Sequence, residues 1–228
     1  MKKLILIALA VVLVVALGAG AVWANSSQPA SKATAKVGEI AVINSTTMGW
    51  TTILEQDIRA PNGKDLFIDV SLQCGLYTQT DVKSKGGNKD TSNADAMISV
   101  RVLVDGTPAE PGEVVFSRRY QELSATLQGI ITSIIPDGNG SYVVDEASLD
   151  YEEIELILDT MDAHAFNFVA PDLTFSGVHT IEVQAMIETL TSKQEGTASA
   201  MATIGKGSVT IELVRMIKGE DIELTAEP

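Results

Sequence analysis

A single cysteine, Cys74, in 228 residues excludes an intramolecular disulfide, a zinc finger and an iron–sulfur cluster. Two histidines leave little material for a metal centre. Aromatic residues make up 5% of the chain, few for a cleft that stacks on sugar rings, and Trp50 is the one tryptophan beyond the N-terminal segment. Cations are also scarce: 16 Lys and Arg against 30 Asp and Glu give a net charge of −14. Phosphate backbones and anionic lipid headgroups repel such a chain, and no nucleic-acid partner is expected. No basic patch offsets this, since the densest one is Lys83, Lys85 and Lys89 in a Gly/Ser/Asn-rich stretch and Arg118 and Arg119 stand alone. What the chain has in quantity is aliphatic surface. With 45% hydrophobic and 20% charged residues it can bury a core, which excludes wholesale disorder.

The N-terminus carries the most specific signal. Lys2 and Lys3 form a short basic tip, residues 4–17 are unbroken aliphatic and alanine, and Val22 and Ala24 put small residues at the third and first positions before a signal-peptidase cut. Export is therefore expected, to a secreted or extracytoplasmic location. The alternative is an uncleaved anchor, because the uncharged stretch 4–24 is 21 residues, the length that about 30 Å of hydrocarbon requires. A lipoprotein is excluded, since no cysteine follows the apolar run closely. With residues 1–24 removed, Lys2 and Lys3 are lost and 14 basic and 30 acidic residues remain over 204 positions, net −16. The short Lys-Lys tip points to a prokaryotic signal. Residues 25–37 are small, polar and aperiodic and read as a spacer. Residues 38–218 read as one folded domain and 219–228 as an acidic tail.

Within the domain the dominant period is two. Leu66, Ile68, Val70, Leu72, Cys74 and Leu76 alternate with Asp69, Ser71 and Gln73, which places six apolar side chains on one face of a strand. The same alternation runs through Ile98–Val104, Leu123–Ile131, His179–Ile187 and Val209–Ile217. Turn chemistry separates the runs at Asn62-Gly63, Asp105-Gly106, Pro111-Gly112, 136–140, Ser176-Gly177 and 205–207. With further strands at 39–44, 50–58, 112–118 and 162–169 the count is nine or ten. The expectation is an all-β antiparallel sandwich, immunoglobulin-like or jelly-roll-like, preceded by an N-terminal signal or anchor helix. Residues 151–160 fit a helix through Tyr151, Ile154, Ile157, Leu158 and Met161, and a strand through Ile154, Leu156 and Leu158. The polar stretch 79–95 reads as a mobile surface loop, where a sandwich usually places binding.

Residues 167–183, from Asn167-Phe168 through Ser176-Gly177 to the alternating run at His179, Ile181 and Val183, resemble the closing strands of immunoglobulin-like modules in secreted microbial proteins. The resemblance implies a sandwich and no catalytic motif. The Cys…Trp…Cys spacing of true immunoglobulin domains is absent.

Candidate chemistry is sparse. Asp137, Asn139, Ser141 and Asp145 place oxygens at the first, third, fifth and ninth positions of a calcium-type loop, with the Val143 carbonyl at the seventh. Tyr142 stands where such a loop needs glycine and Ser148 where it needs a bidentate carboxylate, so residues 137–145 read first as a hairpin turn. His164 and His179 fall on apolar faces and are expected to pack at strand ends with a ring nitrogen on backbone. Glu152 with Glu153, Asp159 with Asp162, and Glu220 with Asp221 are carboxylate pairs of the kind a glycosidase uses. Cys74, between Leu72 and Leu76, reads as a buried hydrophobe. Asn25, Asn44 and Asn139 head acceptor sequons. No catalytic residue, cofactor site or metal site is assigned. The expected function is that of an exported, non-catalytic binding or structural module with a protein or carbohydrate partner. The alternatives are a hydrolase using paired carboxylates and a membrane-anchored ectodomain held by residues 4–24. An exposed edge strand pairing with another subunit is one form the module can take.

Overall fold

The computed structural model describes residues 32–43 and 49–216. The expected export segment 1–24, Asn25, Asn44, Glu220, Asp221 and the tail 219–228 lie outside the described residues. The strands in chain order are β1 (Ala33–Ile43), β2 (Thr51–Ala60), β3 (Asp65–Ser84), β4 (Lys89–Val104), β5 (Thr107–Pro108), β6 (Val114–Thr126), β7 (Ile130–Ile131), β8 (Ile134–Pro136), β9 (Tyr142–Val144), β10 (Leu149–Asp150), β11 (Glu152–Ala170), β12 (Gly177–Lys193) and β13 (Thr197–Val214). The only helical turn among the described residues is a 3-10 turn at Glu146–Ser148. Strand β1 begins inside the stretch expected as spacer, so 33–37 are strand.

Two antiparallel sheets make a sandwich. One has the order β1-β13-β3-β11 and the other β2-β12-β4, with β5 and β6 both pairing β4. Among the long strands, only β4 and β6 are consecutive and share a sheet; every other connection crosses from one sheet to the other. The inward face of β3 is the alternating run from Leu66 to Leu76, and it packs with Ile98, Val100, Val102, Ile181, Val183, Ile187, Ile204, Val209 and Ile211 in one core. Most of these side chains are wholly removed from water, each worth about 1.5–3 kcal/mol of transfer free energy.

Two local readings are corrected and a third, left open between helix and strand, is decided. Residues 79–95 are not a loop: β3 continues to Ser84, β4 starts at Lys89, and a tight turn joins the two sheets between them. The strands read as polar there because the interior itself turns polar. Thr78, Thr80, Ser92 and Gln121 are buried, with Thr78 Oγ1 donating to Gln121 Oε1 at 2.7 Å and Gln121 Nε2 donating to Thr80 Oγ1 at 2.6 Å. Residues 112–118 and 122–131 are not two strands, because β6 spans Val114–Thr126 with a bulge at Phe116, opposite Ile98 and Ser99, that shifts the inward phase. Residues 151–160 are strand: β11 pairs β3 from Glu152↔Ser84 to Ala170↔Leu66 with no register shift.

Candidate interaction surface

Chemistry-bearing side chains at the two ends of the sandwich are tied up in structural contacts. At one end, Asp90 bridges two crossovers between the sheets. Its Oδ2 accepts from the backbone N–H of Lys83 at 2.7 Å and Gly196 at 3.2 Å, and its Oδ1 from Thr91 at 2.8 Å and Glu195 at 3.2 Å. Burial alone would raise its pKa, but the four backbone donors outweigh it and hold the carboxyl below the usual carboxylate range. Beside it Lys83 lies 3.2 Å from Glu153 and 3.8 Å from Asp81. Burial, then the hydrogen bond and charge of Glu153, push the Asp81 carboxyl up, against a smaller lowering by Lys83. The Lys85 Nζ donates to Leu149 O at 3.0 Å and sits over the Tyr151 ring. Two of the three lysines of the sequence cluster therefore brace β11 and the segment before it.

At the other end His179 is buried, and its Nδ1 lies 2.7 Å from Asp105 Oδ2. Its partner is thus a turn carboxylate and not backbone, as expected from sequence. Phe175 stacks on the ring at 4.3 Å, and a cavity of about 450 Å³ lined by Val104, Pro108, Ala170, Leu173 and Phe175 adjoins it. Among the described residues the Nε2 has no hydrogen-bond partner, so no described serine, threonine or cysteine is set against this dyad as a nucleophile. His164, half-buried on β11, meets only the edge of Phe116 at 6.2 Å.

The other sequence candidates stay apart. Glu152 and Glu153, like Asp159 and Asp162, occupy odd and even positions of one strand and so point to opposite faces. Asp137 Oδ1 accepts from the N–H of Asn139 at 2.8 Å and Ser141 at 3.0 Å, closing the turn between β8 and β9. Among the described residues no three His, Cys, Asp or Glu side chains gather as metal ligands. Cys74 is buried, which pushes its thiol up to about 12.

What the structure leaves exposed is apolar. No residue between positions 122 and 167 is buried. Residues 127–151 form a hairpin arm between β6 and β11, with the ladders Ile130↔Asp150 and Ile131↔Leu149, then Ile134↔Val144, Ile135↔Val143 and Pro136↔Tyr142. The turn after β3 holds the base of the arm through Gly86 N–H to Gln128 O at 2.8 Å and Gly87 N–H to Leu127 O at 3.0 Å. Opposite residues and alternate residues share a face, so Ile134, Val144 and Tyr142 line one side and Ile135 and Val143 the other. All are exposed, Tyr142 by 69% and Ile134 by 58%.

Strand β11 continues that surface. It ends its sheet, with β3 on one side and no described strand on the other. Ile154, Leu156 and Leu158 lie on its inward side opposite Val82, Thr80 and Thr78, where Gln121 Nε2 of β6 donates to the Leu156 carbonyl at 2.8 Å, and each is still at least 40% exposed. The free edge is closed only near its end, where Val169 and Glu110 exchange backbone hydrogen bonds of 2.8 and 2.9 Å. Natural edges are guarded by bulges, prolines or lysines. The ladder of β1 carries a register shift and Lys36, that of β2 a shift, and that of β6 a shift and Arg118 and Arg119. Strand β11 has no bulge, Pro, Lys or Arg; it carries only Glu152, Glu153, Glu155, Asp159 and Asp162. The edge was legible as the alternation of Ile154, Leu156 and Leu158, but not its position in the sheet, which only pairing decides.

No protein-family model matches the chain, and no curated protein does. Among solved structures the chain is similar to that of the infectious bursal disease virus Gx strain at 14% identity and TM-score 0.32, covering 83% of this chain and 33% of that one. It is similar to the infectious bursal disease virus VP2 subviral particle at 12% identity and TM-score 0.25, covering 83% and 39%. It is also similar to the CocE/NonD family hydrolase SACOL2612 from Staphylococcus aureus at 13% identity and TM-score 0.22, covering 82% and 37%. The chain thus spans between a third and two fifths of those chains, and at these scores the likenesses carry no functional argument.

Proposed function

We propose that this chain is an exported structural or binding module with a jelly-roll sandwich, and that it works by strand addition at the open edge of β11. Eight long strands whose connections cross the sandwich at all but one step fit the double-sheet jelly roll. An immunoglobulin-like order, with strands such as A and B adjacent in one sheet, fits them less well. The basic tip, apolar run and small residues of positions 1–24 support export.

The observation that carries the function is the unguarded edge. A strand of 19 residues, apolar on part of both faces and lacking bulge, proline and cation, is what strand-addition systems present and what solitary sandwiches avoid. The test is sedimentation of the full chain against concentration. Wild type is expected to associate, and Ile157→Lys, on the exposed outer face, to weaken association by about tenfold or more with an unchanged melting temperature. A chain monomeric at every concentration removes the reading. N-terminal sequencing of the protein made by its host decides release from tethering: a start at Asn25 gives a released module, and an intact Met1 or Lys2 an anchored one.

A further inference from the structure

We infer that the partner of the β11 edge is a second copy of this chain, and that the inserted element is its hairpin arm, residues 127–151. The inference rests on the edge reading above and names its occupant. The arm exposes apolar side chains on both of its faces, Ile134, Tyr142 and Val144 on one and Ile135 and Val143 on the other. A hairpin apolar on both faces needs cover on both, which a position at the rim of a larger sheet supplies and an isolated two-stranded ladder does not. The arm cannot fold back onto its own edge, because Tyr151 alone separates Asp150 of β10 from Glu152 of β11. Reversal would require breaking the strand that it would join.

Charge selects the arm over β11 itself. Pairing two β11 strands would gather the five carboxylates of each, Glu152, Glu153, Glu155, Asp159 and Asp162, on one two-stranded ladder, a like-charge density that disfavours it in any register. The arm strands Ile130–Ile131, Ile134–Pro136 and Tyr142–Val144 carry no charge at all. Laid along β11, they continue the apolar rows of Ile154, Leu156 and Leu158 and place no carboxylate opposite Glu155 or Asp159. Each copy then has one arm and one edge, two different patches, so contacts run from the arm of one copy to the edge of the next and either close into a ring or extend as a filament.

The test mixes two full-length single-cysteine variants, Val143→Cys on the arm and Leu156→Cys on the edge, with a short bismaleimide. Cys74 stays silent because it is buried. Cross-linked pairs are expected in the mixture at about tenfold or more over either variant alone. A second variant, with residues 132–147 replaced by Asn-Gly, is expected to remain monomeric and to melt like wild type. If that shortened chain still associates, or if Leu156→Cys cross-links with itself, the arm assignment is overturned while the edge reading stands. If wild type does not associate, both fall together.

Discussion

Replacing Asp90 by asparagine tests what holds the arm's end of the sandwich in place. Asn keeps the shape of the side chain but turns one acceptor into a donor. Two of the four backbone N–H groups that now converge on the carboxylate, at 2.7–3.2 Å, then lose their partner. Each unsatisfied donor costs about 1–3 kcal/mol, so we expect a loss of about 3 kcal/mol. For a domain of this size that lowers the melting temperature by roughly 6–12 °C. The pH dependence has a definite sign. The folded pKa of Asp90 lies below the unfolded value of about 3.9, so its contribution is complete above roughly pH 4 and is lost as pH falls through the folded pKa. Protonated Asp90 resembles Asn, and the gap between wild type and Asp90→Asn should close in acid. Denaturant unfolding of both proteins from pH 7 to pH 2, with equal slopes, measures the gap. A difference below about 1 kcal/mol at pH 7, or one that persists unchanged into acid, refutes the clamp.

Substitutions at two further positions test the packing. A Cβ on Gly196 would sit 1.8 Å from the Asp81 carbonyl oxygen, a backbone atom that cannot step aside. Gly196→Ala should therefore cost at least about 3 kcal/mol, read from the denaturation midpoint. His179→Phe keeps the stack on Phe175 and removes a buried nitrogen without a partner. It also removes the Nδ1 contact with Asp105 at 2.7 Å and should therefore cost about 1.5–3 kcal/mol, whereas His179→Ala, which empties the site as well, should cost more, about 3–5 kcal/mol.

The aliphatic half of the sandwich was legible residue by residue, because Leu66 to Leu76 alternate without interruption and a strand's period makes that a buried face. The other half was misread as loop for a physical reason. Thr78, Thr80 and Ser92 are inside, and small hydroxyl side chains satisfied by Gln121 or, for Ser92, by the Thr197 carbonyl look in sequence like solvent-facing ones. At 151–160 the local pattern supports helix and strand equally, and β3 decides the matter by pairing along the whole length of β11. The Asp105 partner of His179 was hidden because 74 residues separate them in sequence and only the pairing of β12 with β4 brings them together. The arm shows the converse. Ile131 reads in the sequence as the end of an apolar strand face, yet it is more than half exposed. Period two reports that one face differs from the other, not that something covers it.

That last distinction bears on how such a surface is kept from indiscriminate aggregation. A guarded edge is blocked by a cation or a bend, which acts against every incoming strand. On β11 the only guards are carboxylates, and they discriminate. An acidic strand, including β11 of another copy, adds its carboxylates to the five already on β11; an uncharged strand does not. Strand Ile134–Pro136 is uncharged and Asp137, Asp145 and Glu146 stand at the tip and the kink beyond its ladder. The apolar rows can therefore align while the charges stay offset. The net acidity, which in the sequence reads only as a solvated outer face, becomes on this structure the term that makes one edge selective for one kind of strand.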